Sequence, residues 1–382
     1  MVYDYVIGGA GAAGMQLALA MATDTYFKNK SILIIEPEQQ GDLNKRWCFW
    51  EEGDSKWQAW LDASWQHAAV RTNRYQFNLP LGNYRYNMLR ADTFFAHAKE
   101  TLKHYSNVHW CTDRIVAIDA QDSPVKITTE KGVYYAGHVF DSRVETPIGK
   151  AGREQINLLQ HFRGWEVETE TDCFTEGLIE LMDFRHALPA TCSFMYVLPF
   201  TARKALVEFT VFSAESYPDS VYDRCIENYL KPHRYSITHI EAGVIPMSTM
   251  PFHTMGNAFV TKIGTAGSWV KPSTGYSFSA SGQKVKQVIS NIKAGKAPDT
   301  QLIKSRFRYY DRLLLDILAR NNALGPALFE TLYRKNDISL LFRFLDEQTT
   351  FFEELLIMSR FNPLPFIKSI FRSMGAKLRR NV

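Results

Sequence analysis

Tyr3-Asp4-Tyr5-Val6-Ile7-Gly8-Gly9-Ala10-Gly11-Ala12-Ala13-Gly14 opens the chain, and the Ala-, Leu- and Met-rich run Met15 to Met21 and then Ser31-Ile32-Leu33-Ile34-Ile35-Glu36 follow it. Tyr3 to Ile7 reads as a buried strand, Met15 to Met21 as a helix interior, and Ile32 to Ile35 as a second buried strand. Gly9, Gly11 and Gly14 have the spacing of a dinucleotide-binding turn between the first strand and the helix. The whole is a βαβ unit with an acid at the tip of its second strand.

Each part has a physical task. Gly9 permits the tight turn, Gly11 lets backbone approach a pyrophosphate, and Gly14 lets helix and strand pack closely. Amides at the helix start, around Ala12 and Ala13, face the phosphate charge, and Glu36 can accept a hydrogen bond from a ribose hydroxyl.

A second glycine-bearing stretch, Gly264-Thr265-Ala266-Gly267-Ser268-Trp269-Val270-Lys271-Pro272-Ser273-Thr274-Gly275-Tyr276, follows a strand expected over 258–263 and precedes a helical segment over 282–292. Two such sites suggest one long ligand, with the first at the pyrophosphate and the second, through Gly264, Gly267, Thr274, Gly275 and Tyr276, at the ribityl or ring end of FAD. Asp141 ends a strand in Val139-Phe140-Asp141-Ser142-Arg143, where nucleotide folds present ligand contacts. Arg90 stands at the start of a helix and is placed either to reach a ligand phosphate or to be a solvated first-turn residue. No second full βαβ fingerprint occurs, which argues against a dedicated nicotinamide-binding domain.

Between these sites the texture turns to β from about Gln160, with strands expected over 164–168, 193–199, 204–213 and 239–244 and a short helix over 223–230. The expected division is a dinucleotide-binding region over 1–160, an inserted antiparallel β-rich substrate region over 161–255, a return to the first region over 256–296, and a helical region over 297–382. Five of the eight tryptophans fall between Trp47 and Trp65. They form either a packed subdomain or the wall of an apolar cavity.

The 382 residues suffice for more than one domain, and 46% hydrophobic with 22% charged residues is ordinary for a folded soluble protein. A net charge of +4 gives no argument for nucleic acid. The five cysteines, Cys48, Cys111, Cys173, Cys192 and Cys225, are scattered without a Cys-x-x-Cys pair, which fits reduced thiols better than disulfides or zinc. Neither a membrane span nor a signal peptide is expected. The final segment, from Phe366 to Arg380, places Phe366, Ile367, Ile370, Phe371 and Met374 on one side, with Lys368, Arg372, Lys377, Arg379 and Arg380 and no acid. Such a helix suits an anionic membrane surface, or docks on its own protein.

The N-terminal glycine motif, Trp47-Cys48-Phe49, Val207-Glu208-Phe209-Thr210 and Lys271-Pro272-Ser273-Thr274-Gly275-Tyr276 together resemble the bacterial lycopene β-cyclases of the carotenoid pathway, over about residues 1 to 280. Two departures stand out. The family's acidic motif often has two adjacent carboxylates, whereas Phe209 replaces the second here, and related flavin hydroxylases carry Gly-Asp where this chain has Gly264-Thr265.

The resemblance implies an α/β (α+β) fold of the flavin hydroxylase type: a Rossmann-like FAD-binding domain, an inserted antiparallel sheet and a C-terminal helical region. It also implies an isomerase-type reaction without net oxidation, in which Glu208 protonates an end of lycopene or a related linear carotene and ring closure gives γ-carotene and β-carotene. FAD would act in its reduced form, with NADPH as its reductant. The setting would be cytoplasmic, peripheral on the inner face of the plasma membrane. Two rivals remain: an FAD-dependent monooxygenase acting on an apolar substrate, and a non-catalytic flavin-bearing carotenoid or lipid carrier.

Overall fold

The computed structural model describes residues 2–37, 45–144 and 155–378, with side chains to Met374. Its first sheet is built on the N-terminal unit. Strand Val2–Gly8 lies between Ile32–Glu36 and Val133–Asp141, parallel to both, and Val108–Thr112 extends the parallel side beyond Ile32–Glu36. On the other side Val125–Thr129 and Ile115–Asp119 continue it antiparallel, and the short Val260–Lys262 strand joins Val139, Phe140 and Asp141 in parallel. Helix Ala12–Thr23 covers this sheet and packs on helix Phe278–Lys293. Between Val108–Thr112 and Ile115–Asp119 the chain turns at Asp113, whose carboxylate accepts from the amides of Arg114 and Lys131.

The second sheet runs in the order Tyr235–Ser248, Asn157–Thr169, Lys204–Ser213, Cys192–Pro199, Leu178–Asp183, His67–Arg71, Gln76–Pro80. Its pairs are antiparallel except Leu178–Asp183 with His67–Arg71. Residues 67–80, inside the expected first region, therefore complete the inserted sheet, and Leu178–Asp183 is a strand that local pattern did not reveal. A third sheet, Arg46–Glu52, Tyr84–Arg90 and Ala63–Trp65, joins the two.

Strand Lys204–Ser213 is buried on both faces, which explains its nearly unbroken apolar run. Val207, Phe209 and Val211 pack against Tyr222, Ile226 and Leu230 of helix Asp219–Leu230. Leu206, Glu208, Thr210 and Phe212 point the other way. Above them lie helices Ser305–Arg320, Gly325–Lys335 and Ile338–Leu345, and helices Phe351–Ser359 and Pro363–Leu378 follow in the C-terminal region. Leu315, Leu318, Phe329 and Phe342 of these helices share one core with Phe194, Leu206 and Phe212. Each such side chain buried contributes about 1.5–3 kcal/mol before entropy is counted.

The tryptophan cluster divides between its two expected roles. Trp50 stacks on Phe342 with ring centroids 4.6 Å apart and donates to Asp346, pinning the helical region to the third sheet. Trp57 and Trp60 pack with Phe94, and Trp65 donates to the Pro199 carbonyl. Only Trp47 of the five reaches the cavity described below, alongside Cys48.

The final helix is both docked and amphipathic. Arg372 pairs with Asp316 of helix Ser305–Arg320, and Ser369 is buried there, while Leu364, Ile367, Phe371 and Met374 are exposed. Arg379, Arg380 and the side chain of Lys377 lie outside the described residues. Among the described residues no helix is long and apolar enough to cross a membrane.

Candidate functional site

At the nucleotide end, strand Val2–Gly8 delivers the chain to Gly9, whose amide bonds to the Ile35 carbonyl at 2.9 Å. Helix Ala12–Thr23 starts at Gly11 with no side-chain cap, leaving the amides of Ala12, Ala13 and Gly14 for an outside acceptor. A Cβ on Gly11 would meet nothing within 4 Å, so the approach is open, whereas one on Gly14 would collide with the Gly9 carbonyl. Glu36 accepts from the Ala10 amide at 2.5 Å. Burial raises its carboxyl, an effect that this bond opposes.

The second glycine loop meets this one. Gly264 has φ +59°, and a Cβ there would lie 3.2 Å from that of Ala13, so residues some 250 positions apart close on the same helix start. Gly267 lies in a short 3-10 turn, its amide bonded to the Ile263 carbonyl. Asp141, at the tip of its strand beside Gly8, is fully buried and held by Arg143 Nε at 2.9 Å and Lys262 Nζ at 2.8 Å. Those ion pairs tie strand Val133–Asp141 to Val260–Lys262. Arg90 is half exposed and paired with Asp92 at 2.7 Å.

From the second loop the chain enters a cavity of about 470 Å³ between the second sheet and the C-terminal helices. Its floor is the inward face of four strands. In register across them run Glu241, Gly164, Glu208 and Tyr196, then Gly243, Phe162, Thr210 and Phe194, then Ile245, Gln160, Phe212 and Cys192. Phe329 and Tyr333 come from the helices, and Trp47, Cys48 and Thr274 to Tyr276 from the nucleotide side. Thr274, Gly275 and Tyr276 thus line the cavity while Gly9, Gly11, Ala12, Ala13, Gly14 and Glu36 form its distant companion. Tyr86 links Tyr196 and Tyr276 by hydroxyl contacts of 2.9 and 3.1 Å.

Glu208 is 8% exposed, and Thr210 Oγ1 donates to its Oε1 at 2.6 Å. Burial in this apolar wall pushes its carboxyl up to about 8, with the neighbouring Glu241 adding to the rise and Thr210 and Arg46 opposing it. At neutral pH it is therefore an acid holding its proton. Phe209, where a second acid would stand, faces the opposite side of the sheet and is fully buried.

A second carboxylate is nevertheless present, from a strand two places away. Glu241 lines the cavity and lies 3.4 Å from Arg46 Nε, whose Nη2 reaches Glu166 at 2.8 Å; Lys204 completes the group at 2.9 Å from Glu166. Sequence reasoning missed Glu241 and Gln160. The alternation of Glu241, Gly243 and Ile245 in one strand was the available signal.

Of the five buried polar side-chain atoms without a hydrogen-bond partner among the described residues, three are Arg46 Nη1, Gln160 Oε1 and Thr274 Oγ1. All three residues line the cavity. Orphaned groups of this kind are costly unless a ligand completes them. A donor and two acceptors on the cavity wall, joined to an open helix start through the Gly264 loop, fit a flavin dinucleotide: phosphates at the glycines and a heterocyclic edge at the cavity.

Several solved structures share the fold across nearly their full length. A geranylgeranyl bacteriochlorophyll reductase-like protein from Thermoplasma acidophilum is 14% identical with TM-score 0.60, covering 96% of this chain and 98% of its own. A flavoprotein/dehydrogenase from Cytophaga hutchinsonii is 10% identical with TM-score 0.58, covering 94% and 99%. A flavin-dependent brominase is 14% identical with TM-score 0.53, covering 100% of both. At these identities the likeness establishes the fold, a Rossmann-like α/β core of the flavin hydroxylase type carrying an inserted β-sheet. No curated protein sequence matches significantly. The family model described as lycopene cyclase protein matches residues 4–372, and the chain therefore belongs to the lycopene cyclase family.

Proposed function

We propose that the protein is an FAD-dependent lycopene β-cyclase, converting linear ψ-ends of lycopene or a related carotene to β-rings. The observation that carries this reading is Glu208, a carboxyl kept protonated to about pH 8 on the wall of an apolar cavity. Protonating an unactivated alkene requires an acid with little solvent around the cation that results. Phe162, Phe194, Leu206, Phe212 and Phe329 supply that dry wall. Glu208 gives its proton to the terminal alkene, a neighbouring double bond closes on the tertiary cation, and loss of a ring proton leaves the β-ring.

FAD, when bound in its reduced form, supplies negative charge beside the developing cation and needs no net electron transfer. Gly9, Gly11, Ala12, Ala13, Gly14 and Gly264 would cradle its phosphates, Glu36 its ribose, and Gln160, Thr274 and Arg46 its ring edge. Arg90 and Asp141 act at one remove: Asp141 fixes the strand tips below the glycines, and Arg90 is free to reach a phosphate only by leaving Asp92. NADPH is the proposed reductant, arriving from solution.

Lycopene resides in lipid, and the C-terminal surface fits a peripheral position on the cytoplasmic face of the membrane. Phe351, Phe352, Leu355 and Leu356 on one helix join Leu364, Ile367, Phe371 and Met374 on the next as exposed apolar side chains. From Leu355 onward the sequence has six basic residues and no acid. Apolar area with basic flanks is the composition that binds an anionic bilayer.

The test is an anaerobic assay with lycopene in liposomes and dithionite-reduced FAD. Products of unchanged mass and shortened chromophore are expected. An oxygenated product that forms only with NADPH in air would replace this reading with a monooxygenase, and tight carotene binding without turnover would replace it with a carrier.

A further inference from the structure

The cavity wall contains two carboxyl groups in different charge environments, and the cyclase reading uses only one. Glu208 and Glu241 stand in the same cross-strand row, separated by Gly164 of the strand between them. Two strand spacings put their backbones about 10 Å apart. Glycine at the middle position contributes no side chain of its own, and the Cβ and Cγ of Glu208, with Leu206 Cδ1, pack over it.

Their partners differ in kind. Glu241 belongs to a chain of ion pairs in which it contacts Arg46, Arg46 contacts Glu166 and Glu166 contacts Lys204. Glu208 has a hydroxyl, Thr210, as its hydrogen-bond partner and no cation within salt-bridge distance among the described residues. Where neighbouring carboxyls are held in opposite protonation states, the environments themselves assign the acid and the base.

We propose that Glu241, with Arg46 as its fixed counter-ion, is the catalytic base that accepts the proton released at ring closure. The inference rests on the cyclase reading. In the first step the Glu208 O–H bond breaks and a C–H bond forms at the terminal alkene carbon. The neighbouring double bond then attacks the cation, forming the ring C–C bond and moving the positive charge into the ring. Glu241 takes a proton from the adjacent ring carbon, and the electron pair of that C–H bond becomes the ring double bond. One proton has moved from Glu208 to Glu241, no electrons are gained or lost, and return of the proton to Glu208 resets the pair.

A base also decides which proton leaves, and hence the position of the double bond. Without it the same cation is open to loss of a different proton or to capture by water. Arg46 adds a reason for the arrangement: its Nε lies 3.4 Å from Glu241 as a counter-ion, while its Nη1 has no hydrogen-bond partner among the described residues.

The experiment uses the full-length, FAD-loaded enzyme with lycopene liposomes under dithionite, comparing wild type with Glu241→Gln. The expected result is a loss of about 10²-fold in β-ring formation, with the remaining product a mixture of rings whose double bond is displaced and ring alcohols. Retained flavin absorbance shows that the site is intact. If Glu241→Gln does not retain flavin, Glu241→Asp, which keeps the charge but withdraws it by one methylene, takes its place with the same product mixture expected. Pure β-ring product at the wild-type rate from the flavin-loaded variant overturns the proposal and leaves the cyclase reading standing. A wild type that cyclises nothing overturns both.

Discussion

Thr210 Oγ1 lies 2.6 Å from Glu208 Oε1, two positions along the same strand and on the same cavity wall. The hydroxyl stabilises the ionised carboxylate, so it sets how far burial alone raises the acid. Thr210→Val should move the alkaline limb of the cyclisation pH profile upward by about one unit, the size expected for one hydrogen bond to a charged group. Glu208→Gln should abolish cyclisation while flavin binding persists. An unmoved limb in the valine variant would mean that a different group supplies the proton.

The same carboxyl links stability to pH. Its pKa is about 8 in the folded chain against an ordinary glutamate value of 4.5, so the folded state holds a proton that the unfolded state releases. The resulting stabilisation is complete below the unfolded value and is lost as pH rises through 8, at about 1.4 kcal/mol per pH unit in between. Glu208→Gln cannot ionise. Its melting temperature relative to wild type should therefore climb between pH 5 and pH 8, and parallel melting curves over that range would contradict the assignment.

Trp50 stacks face to face with Phe342 and donates to Asp346, whose carboxyl is raised to about 7 chiefly by burial. Phe342→Ala should cost about 3–5 kcal/mol, read as a lowered denaturant midpoint. Because Phe342 helps hold the helices over the cavity, carotene binding should weaken as well.

Gly264 combines φ +59° with a close approach to Ala13. Alanine there carries a conformational penalty of about 1–2 kcal/mol and intrudes on the junction of the two glycine loops. Gly264→Ala should retain less flavin through gel filtration, with affinity about tenfold weaker for each 1.4 kcal/mol lost. Full flavin content would show that this junction does not touch the dinucleotide.

The exposed aromatics of the last two helices give a surface prediction. The double variant Phe352→Asp, Phe371→Asp should lose most co-sedimentation with anionic liposomes and keep its melting temperature, since both side chains are exposed. Equal binding by the variant would place membrane contact elsewhere. Adding salt should weaken the wild type's binding because the basic flanks act through screened charge.

How much of this was legible in sequence depended on how local the cause was. Tyr3 to Glu36 was readable because glycine spacing, strand and helix are neighbours in the chain. Glu208 was readable because strand alternation puts it with Leu206, Thr210 and Phe212, the face that lines the cavity. Glu241 was not, since its meaning comes from Arg46 and from the missing side chain at Gly164, both remote from it. Strands His67–Arg71 and Leu178–Asp183 were missed for a related reason, because parallel pairing between distant segments leaves no turn to mark it. The terminal helix was read as either docked or membrane-facing, and Arg372 with Ser369 on one side and Phe371 on the other make it amphipathic in both senses.

The parallel pairing of His67–Arg71 with Leu178–Asp183, and of Val2–Gly8 with Val133–Asp141, also bears on how the protein is made. Each sheet borrows strands that are synthesised long before their partners. A ribosome that has released the first hundred residues has released all strands of the small third sheet but only fragments of the two large ones, whose strand edges wait for later sequence. Such edges pair with other chains as readily as with their own. This topology makes folding a late event, and it makes the nascent chain, more than the finished enzyme, the species that needs a chaperone.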